Sequence, residues 1–506
     1  MSICGKIGSL TGALGKMSGT ALLLIALAMA GCVGEKSENN GQVGSQAAEK
    51  GEAARVVSAE NTVAAQVGAG PQSCDGKILK VWERGDALHS VRSNLLWIDT
   101  ACGERVVAIR SIVGRDTLEK RFVLRDSAAF AAGQKLPTEL SGATVLRTPL
   151  QRVVALSSAH IGYMLRLGLE NRIVAVGEGK YIADSALYYR VAGAKPAKQN
   201  SSVILSEAKN PGTNVIAEVG NGTSLDLEKL IALKPDLVMT FATGGSQDDY
   251  SRMEALGLPV MLTSEWQENS VDAKADWIKL FTSLFGVEIP DEKKVPESVL
   301  DPIVYGYPAG SADPCVERKS KWVGRNGEHG FMVVARGPRV LAGMSYGGVW
   351  YAPGGRSYTA DLIRKAGGCY LWASDTTREL RLTIEEVIAL ADSADVWINP
   401  GMFGTAEEIL AAEPRAVHIK AFRDRKVFQN DGRKGPGGGN DFYEGAVARP
   451  RELESNLRHI FTESYNRVKA NYVIDEAGTP RLNEERQAAK KPVSGKSAFE
   501  WYHNIF

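Results

Sequence analysis

The sequence predicts an α/β protein of two lobes with parallel sheets, joined by a single long helix and preceded by a small β-rich region. Three observations support this. Residues 152–176 have a strand, helix, strand pattern, and such a βαβ unit implies a parallel sheet. A helix, turn, strand segment at 225–239 recurs at 383–398. Between these copies, residues 268–285 carry apolar side chains at the spacing of an amphipathic helix.

Length and charge restrict the classes of protein. A chain of 506 residues favours two or more domains. Its apolar (44%) and charged (24%) fractions are those of a globular protein. The 60 basic and 59 acidic residues nearly cancel, whereas a nucleic-acid footprint would be basic, so no nucleic-acid partner is expected.

The N-terminus has the features of an export signal. Residues 1–31 combine early lysines with a short apolar run, which fits a secretory signal peptide. The run ends in Met29-Ala-Gly-Cys32, which resembles the lipobox of bacterial lipoproteins and implies acylation of Cys32. A plain signal peptide with an incidental cysteine is the alternative. We expect a lipid-anchored, periplasm-facing protein of the cell envelope, with the choice between inner and outer membrane open.

Two regions follow the signal. Residues 32–74 are polar and aperiodic, which predicts a disordered tether behind the lipidated cysteine. Residues 75–150 contain short strands separated by turn residues, at 77–82, 95–98, 105–109 and 121–124. Cys74 and Cys102 lie close enough in sequence for a disulfide, although sequence alone cannot fix the pairing.

The first lobe is predicted at 151–265, with strands at 153–156 and 173–176 and a loop insertion at 196–214. The connecting helix region follows at 266–305, where Pro290 and Pro296 predict a kink or division of the helix. Residues 306–330 read as a loop insertion. The second lobe is predicted at 331–470, beginning with the strand at 331–335, and residues 471–506 as a C-terminal tail.

Several segments, in their order, resemble the helical-backbone class of substrate-binding proteins of bacterial ABC importers. The carrying segments are Arg152-Val-Val-Ala-Leu-Ser157, Leu167-Gly-Leu-Glu-Asn-Arg-Ile-Val-Ala-Val-Gly177, Leu227-Glu-Lys-Leu-Ile-Ala-Leu-Lys-Pro-Asp-Leu-Val238, Leu256-Gly-Leu-Pro-Val260, Pro353-Gly-Gly-Arg-Ser-Tyr358, Ala366-Gly-Gly368 and Gly438-Gly-Asn-Asp-Phe-Tyr-Glu444. The resemblance spans roughly residues 150–465. It implies two Rossmann-like lobes with the ligand between them.

The resemblance also implies function and partners. The ligand would be an iron(III)-siderophore, haem or a cobalamin-type molecule, and the protein would be a monomer that delivers it to an ABC permease dimer with a cytoplasmic ATPase. Glu228 and Glu385 match the glutamates by which family members dock on the permease. Solvated glutamates at helix starts are the alternative. Neither an enzyme nor a resident cofactor is expected, although the ligand may itself be a metal chelate.

Aromatic residues are concentrated between Tyr346 and Trp372, where glycines interrupt any regular element. Aromatic rings on Gly-rich turns suit a stacking pocket for a large planar ligand. The alternative, for about half of these rings, is that they pack in the protein core. We expect Arg356 to pair with anionic ligand groups. A second Gly-rich loop at 435–440 is expected to form another wall of the pocket. The remaining candidates of the second lobe are Tyr346, Trp350, Tyr351 and Tyr358 from the aromatic run, and Asn440, Phe442 and Tyr443 at the end of that loop and just after it.

Ligands of open parallel sheets bind at the carboxyl ends of the strands. In the first lobe this rule nominates Ser158, His160, Lys180, Tyr181 and Thr243. His160 could ligate a metal, but a lone histidine at a helix start is more often structural. With six histidines and no close pair, we predict no metal site, and a carrier of free Zn²⁺ or Mn²⁺ is disfavoured.

Two other functions compete with uptake. Gly343-Met-Ser345-Tyr-Gly347 matches the G-x-S-x-G elbow of serine hydrolases, with His418 or His459 and Asp395 or Asp441 to complete the triad. A helix must follow such an elbow, whereas Gly347–Gly355 contains four glycines and a proline and is not helical in pattern. A surface lipoprotein that scavenges ligand without a cognate importer is the other alternative.

Overall fold

The fold is given by a computed structural model. It describes residues 92–191, 215–221, 224–246, 248–290, 315, 318–323, 327, 329–334, 337–464, 468–475, 479–482 and 501–506. The predicted signal peptide, Cys32, the tether, the strand at 77–82 and the insertion at 196–214 lie outside this set. No helix in the described ranges is long and apolar enough to cross a membrane.

A four-stranded sheet forms the N-terminal region. Strands β1 (Leu96–Ala101), β2 (Glu104–Val113) and β3 (Asp116–Arg125) form an antiparallel meander; helix α1 (Ser127–Ala131) follows, and β4 (Thr144–Arg147) pairs parallel with β3. One face of this sheet, including Val107, joins the core of the first lobe. Cys102 at the β1–β2 turn is disulfide-bonded, and Cys74, the candidate partner that the sequence left open, lies outside the described residues.

The first lobe is built on a five-stranded parallel sheet in the order β7-β6-β5-β8-β9. The strands are β5 (Val153–Ala155), β6 (Ile173–Val176), β7 (Ala217–Glu218), β8 (Leu237–Thr240) and β9 (Val260–Leu262). Helices α2 (Ser158–Arg166), α3 (Ser185–Arg190), α4 (Leu227–Leu233) and α5 (Tyr250–Ala255) connect them. Because both sheet faces are covered, these strands are nearly continuous apolar runs, which is why the sequence identified them.

The segment between the lobes is not one long helix. It consists of α6 (Val271–Asp276) and α7 (Ile278–Phe285), which meet at Trp277. At this junction the Trp277 N–H donates to Lys274 O at 3.2 Å, three residues back, which tightens the turn. Gly286, with φ 67°, ends α7 in the left-handed conformation. A kink or division of the helix was predicted at Pro290 and Pro296, and the division lies earlier, at Trp277; Pro296 lies outside the described residues.

This connector contacts both lobes. The Tyr163 ring of α2 stacks on Phe281 at 4.9 Å between centroids, and Tyr163 OH donates to Lys274 O at 3.0 Å. On the other side, Val271 N donates to Asp361 Oδ2 of the second lobe at 2.9 Å. The connector is thus part of both cores, so the two lobes share one packed body.

The second lobe also has a five-stranded sheet, in the order β15-β12-β17-β18-β21. Strands β12 (Arg339–Ala342), β15 (Cys369–Tyr370), β17 (Val396–Ile398) and β18 (Val427–Gln429) are parallel, and β21 (His503–Asn504) is antiparallel. A small antiparallel sheet contains β13 (Met344–Tyr346), β14 (Val349–Pro353) and β16 (Glu379–Leu382). The helices are α8 (Tyr358–Lys365), α9 (Ile384–Ala391), α10 (Ala406–Ala412), α11 (Lys420–Arg423) and α12 (Pro450–Ser464).

Three predicted segments around the second lobe differ from the structure. Within 306–330, predicted as a loop, lies β10 (Arg318–Val323), which pairs with β11 (His329–Val334) in an antiparallel sheet with β19 (Val468–Ile474) and β20 (Pro480–Leu482). The strand predicted at 331–335 thus belongs to this sheet, and the parallel series begins only at β12. Within the predicted tail, Trp501 and Tyr502 are fully buried in the core of the second lobe. A disulfide joins Cys315 to Cys369.

Candidate functional site

A cavity of about 690 Å³ lies between the two lobes, with walls from both and a floor from the segment that precedes α6. In each lobe the wall is formed by loops at the carboxyl ends of parallel strands, as expected for open α/β sheets. Residues that directly follow these strands and line the cavity are Leu156, Gly177, Phe241, Gly343, Asn399 and Asn430. The described residues contain no group of three or more His, Cys, Asp or Glu side chains placed to hold a metal ion.

Three of the five candidates of the first lobe line the cavity: Ser158, Tyr181 and Thr243. Ser158 is the first residue of α2, directly after the β5 loop. The Thr243 loop is fixed by the Asp248 carboxylate, which accepts from Thr243 N at 3.0 Å and from Gly244 N at 2.7 Å. These residues are therefore presented by rigid backbone.

The other two candidates of the first lobe do not line the cavity. His160 is fully buried in the first turn of α2, and its Nε2 lies 2.7 Å from Thr263 Oγ1. Burial lowers the pKa of His160, which favours the neutral imidazole. Lys180 is exposed, pairs with Glu178, and its Nζ lies 4.8 Å from the centroid of the Tyr181 ring. Neither side chain lines the cavity, because the rule that chose them cannot tell which side of a strand-end loop a side chain takes.

In the second lobe, Tyr351, Arg356 and Tyr358 line the cavity. Tyr358 is the first residue of α8, whose N-cap Ser357 accepts from Ala360 N. The Lys274 ammonium of the connector lies 4.5 Å from the centroid of the Tyr358 ring, a cation–π distance. The Tyr358 ring therefore lies beside the connector in the wall of the cavity.

Tyr346 and Trp350 were predicted to face the cleft, and neither lines the cavity. Both belong to the hairpin β13–β14, in which successive side chains alternate between two faces. Trp350 is 1% exposed and its ring lies 5.2 Å from that of Trp397, in the core of the second lobe. Tyr351, one residue later, takes the opposite face and reaches the cavity. Tyr346 stands beside the Gly347-Gly348 turn and is 45% exposed.

The Gly-rich loop at 435–440 brings Asn440 to the cavity, and Phe442 and Tyr443 follow on the same wall. Burial raises the pKa of Tyr443. The glycines have a further role that the sequence did not indicate. A Cβ at Gly439 would clash with Tyr181 O, and one at Gly435 with Ile182 O. The loop therefore needs glycine because the backbones of the two lobes touch there.

The side chain of Glu444, in the second lobe, contacts the backbone of the first lobe. Its carboxylate is fully buried and accepts from the backbone N–H of Ala183 at 2.9 Å and of Asp184 at 2.8 Å. Burial raises the pKa of Glu444 to about 8, although the two amides act in the opposite direction. At Gly162, a Cβ would clash with Glu444 O, so this contact is also one of close backbone approach.

The floor of the cavity was missed by the sequence reasoning. Glu265, Trp266, Gln267 and Glu268 follow β9 and line the cavity, together with Lys274. Glu268 is bonded to the Ser93 hydroxyl and accepts from Trp277 Nε1 at 2.8 Å, while burial raises its pKa. Burial lowers the pKa of Lys274. The strand-end rule that nominated Ser158 and Thr243 applies equally after β9, and it would have found this segment.

Ser345 does not form a nucleophile elbow. It lies within β13 of the antiparallel hairpin, is buried, and its Oγ lies 3.4 Å from Glu413 Oε2. Its strand leads through the Gly347-Gly348 turn into β14, and no helix follows at that point. The described geometry therefore gives no support to hydrolysis at Ser345.

The two candidate docking glutamates occupy equivalent positions. Glu228 and Glu385 are both second residues of their helices, α4 and α9, and each helix leads into a central strand, β8 or β17. Both side chains are exposed, and Glu385 pairs with Arg415. The repeat noted in the sequence thus corresponds to equivalent elements of the two lobes.

The cavity thus lies between two lobes, at the carboxyl ends of the parallel strands of both. Residues 153–297 match the model of the family described as periplasmic binding protein. The resemblance drawn from the sequence is confirmed there.

Several relatives are similar to the chain at low identity. An uncharacterized lipoprotein of Methanocaldococcus jannaschii is 21% identical over 288 residues, which are 56% of this chain. The chain spans 60% of the length of that curated relative. Among solved structures, the periplasmic vitamin B12 binding protein of Vibrio cholerae aligns with 14% identity over 62% of this chain and 98% of its own (TM-score 0.36). The periplasmic heme binding protein of the same organism aligns with 16% identity over 61% and 98% (TM-score 0.38).

Proposed function

We propose that this protein is the lipid-anchored solute-binding component of an ABC importer. It captures an iron(III)-siderophore, haem or cobalamin-type ligand between its lobes and delivers the ligand to the permease. The observation that carries the proposal is the interlobe cavity, whose volume of about 690 Å³ is in the range of small-molecule sites. Its walls combine the rings of Tyr181, Tyr351, Tyr358, Phe442 and Tyr443 with a few polar groups.

Delivery requires contact with a permease dimer. Glu228 and Glu385 support this step, because they are exposed at equivalent positions of the two lobes. Acylation of Cys32 would hold the folded body at the membrane, since each acyl-chain methylene buried in the bilayer contributes about 0.8 kcal/mol to the free energy of membrane binding. Arg356, exposed at the cavity, is available to anionic groups of a ligand.

Fluorescence titration tests ligand capture. The full-length chain in detergent is titrated with cyanocobalamin, haemin and ferric enterobactin, and tryptophan emission is followed. Trp266 lines the cavity and is the expected reporter, whereas Trp350 is buried in the second lobe. The proposal is supported if one of the three ligands quenches the emission saturably, and if Trp266→Phe loses this quenching but binds the ligand with unchanged affinity in calorimetry. Absence of saturable binding by all three contradicts it.

A further inference from the structure

The buried end of the cavity carries an acceptor that nothing in the described structure satisfies. Glu265 is 2% exposed and lines the cavity, and its Oε2 has no hydrogen-bond partner among the described residues. A buried carboxylate oxygen without a donor is costly, so such groups are usually paired. The adjacent Glu268 differs, because Ser93 and the Trp277 indole already donate to it.

The charged side chains that line the cavity also bear on the ligand that it accepts. Seven acidic and four basic side chains line its described part. Three of the basic ones, Arg356, Arg378 and Lys434, are exposed. The fourth, Lys274, lies over the Tyr358 ring, and burial lowers its pKa. The buried floor therefore carries the carboxylates of Glu265 and Glu268 beside the amine of Lys274, whose pKa they raise against the effect of burial, and the exposed cations lie elsewhere.

We infer that Glu265 is a specificity-determining residue that accepts hydrogen bonds from N–H groups on the edge of a neutral or cationic ligand. Primary amides and ammonium groups provide such donors, whereas a carboxylate at the same place would bring two like charges together in a buried site. The inference rests on the proposed function and narrows its ligand class. Among the three candidate ligands it favours the amide-rich corrinoid over the carboxylate-bearing haem and the anionic ferric catecholate.

The ligand itself supplies the first test. Cyanocobalamin is compared with its monocarboxylic acid derivatives, in which one peripheral amide is replaced by a carboxylate of nearly the same shape. Calorimetry at pH 7 with the full-length chain should show about ten- to hundredfold weaker binding for the derivative whose acid faces Glu265. Equal affinities for the amide and for every acid derivative would overturn the inference, and this arm requires no variant.

The second test is a thermodynamic cycle that combines a protein variant with the acid derivative of the ligand. Glu265→Gln removes the charge, so it should weaken cyanocobalamin binding and reduce the discrimination against the acid derivative at least tenfold. Glu178→Gln is the matched control, because Glu178 lines the same cavity but is already paired with Lys180. It should leave the discrimination unchanged. Unchanged discrimination in Glu265→Gln would also overturn the inference.

The outcomes separate this inference from the proposed function. Binding of haemin or ferric enterobactin without cyanocobalamin supports a solute-binding role and overturns the assignment of Glu265. Binding of none of the three contradicts the proposed function and the inference together.

Discussion

Glu444 makes the contact between the lobes sensitive to pH. Its pKa is raised from 4.5 to about 8, because burial outweighs the two amides that donate to it. The carboxylates of Asp441 and Asp184 act in the same direction as burial. A carboxyl whose pKa is raised in the folded state stabilises that state fully below its unfolded pKa, and the contribution is lost as the pH rises through the folded pKa. The affected window is therefore about pH 4.5 to 8.

The size of the effect follows from the shift. At about 1.4 kcal/mol per pKa unit, the whole window corresponds to roughly 5 kcal/mol, and the interval from pH 5 to 7 to about 3 kcal/mol. The carboxyl belongs to the second lobe and its two donors to the first, so the buried charge that forms on ionisation lies at the interlobe contact. The free energy of unfolding of the wild type should therefore fall between pH 5 and 7 by about that amount more than in a variant that cannot ionise.

Urea denaturation of the full-length chain at pH 5, 6, 7 and 8 measures this. Glu444→Gln keeps the shape and one acceptor but does not titrate, so its profile should lack the decline assigned to Glu444. Glu444→Ala leaves the N–H groups of Ala183 and Asp184 without an acceptor, and should cost about 1–3 kcal/mol for each at all pH values. If the wild type and Glu444→Gln run parallel from pH 5 to 8, the reasoning is refuted.

Three further predictions concern packing and docking. Trp350→Ala should lower the unfolding free energy by about 3–5 kcal/mol, whereas Tyr346→Ala should change it by less than about 0.5 kcal/mol; similar losses in urea melts would contradict the placement of the two rings. Trp501→Ala should cost about 3–5 kcal/mol, because its indole is buried and donates to Asp441 Oδ2 at 2.8 Å; a tail that merely rests on the surface would lose almost nothing. Double charge reversal, Glu228→Arg with Glu385→Arg, should abolish ligand uptake by cells and leave ligand affinity unchanged; uptake that persists would favour a scavenger, and lost affinity would argue against a docking role.

The parallel sheets could be predicted because their signal is local. Val153–Ala155, Ile173–Val176 and Leu237–Thr240 are short apolar runs that alternate with helices, and a strand buried on both faces needs no distant partner to be recognised. The sheet of β10, β11, β19 and β20 was missed because β11 and β19 are separated by more than a hundred residues. Nothing in either sequence segment identifies the other as its neighbour.

The site was predicted unevenly for a related physical reason. Tyr351 and Trp350 lie on one strand, so only the alternation of faces separates a cavity wall from a core ring. That alternation was present in the sequence, but the glycines around it led to an interpretation as irregular turns. Glu265 and Glu444 could not be found from residue type, because an acidic side chain is usually solvated and only the tertiary structure shows these two to be buried.

Strand β21 has a consequence for solubility. It covers the outer edge of β18, pairing Asn504 with Phe428 and His503 with Gln429. An uncovered edge strand presents unpaired N–H and C=O groups to any other chain, and proteins usually guard such edges. Loss of residues 501–506 would bare an apolar β18 and the pocket that Trp501 fills. A shortened chain would therefore be prone to associate through its sheet edge even where its lobes are otherwise intact.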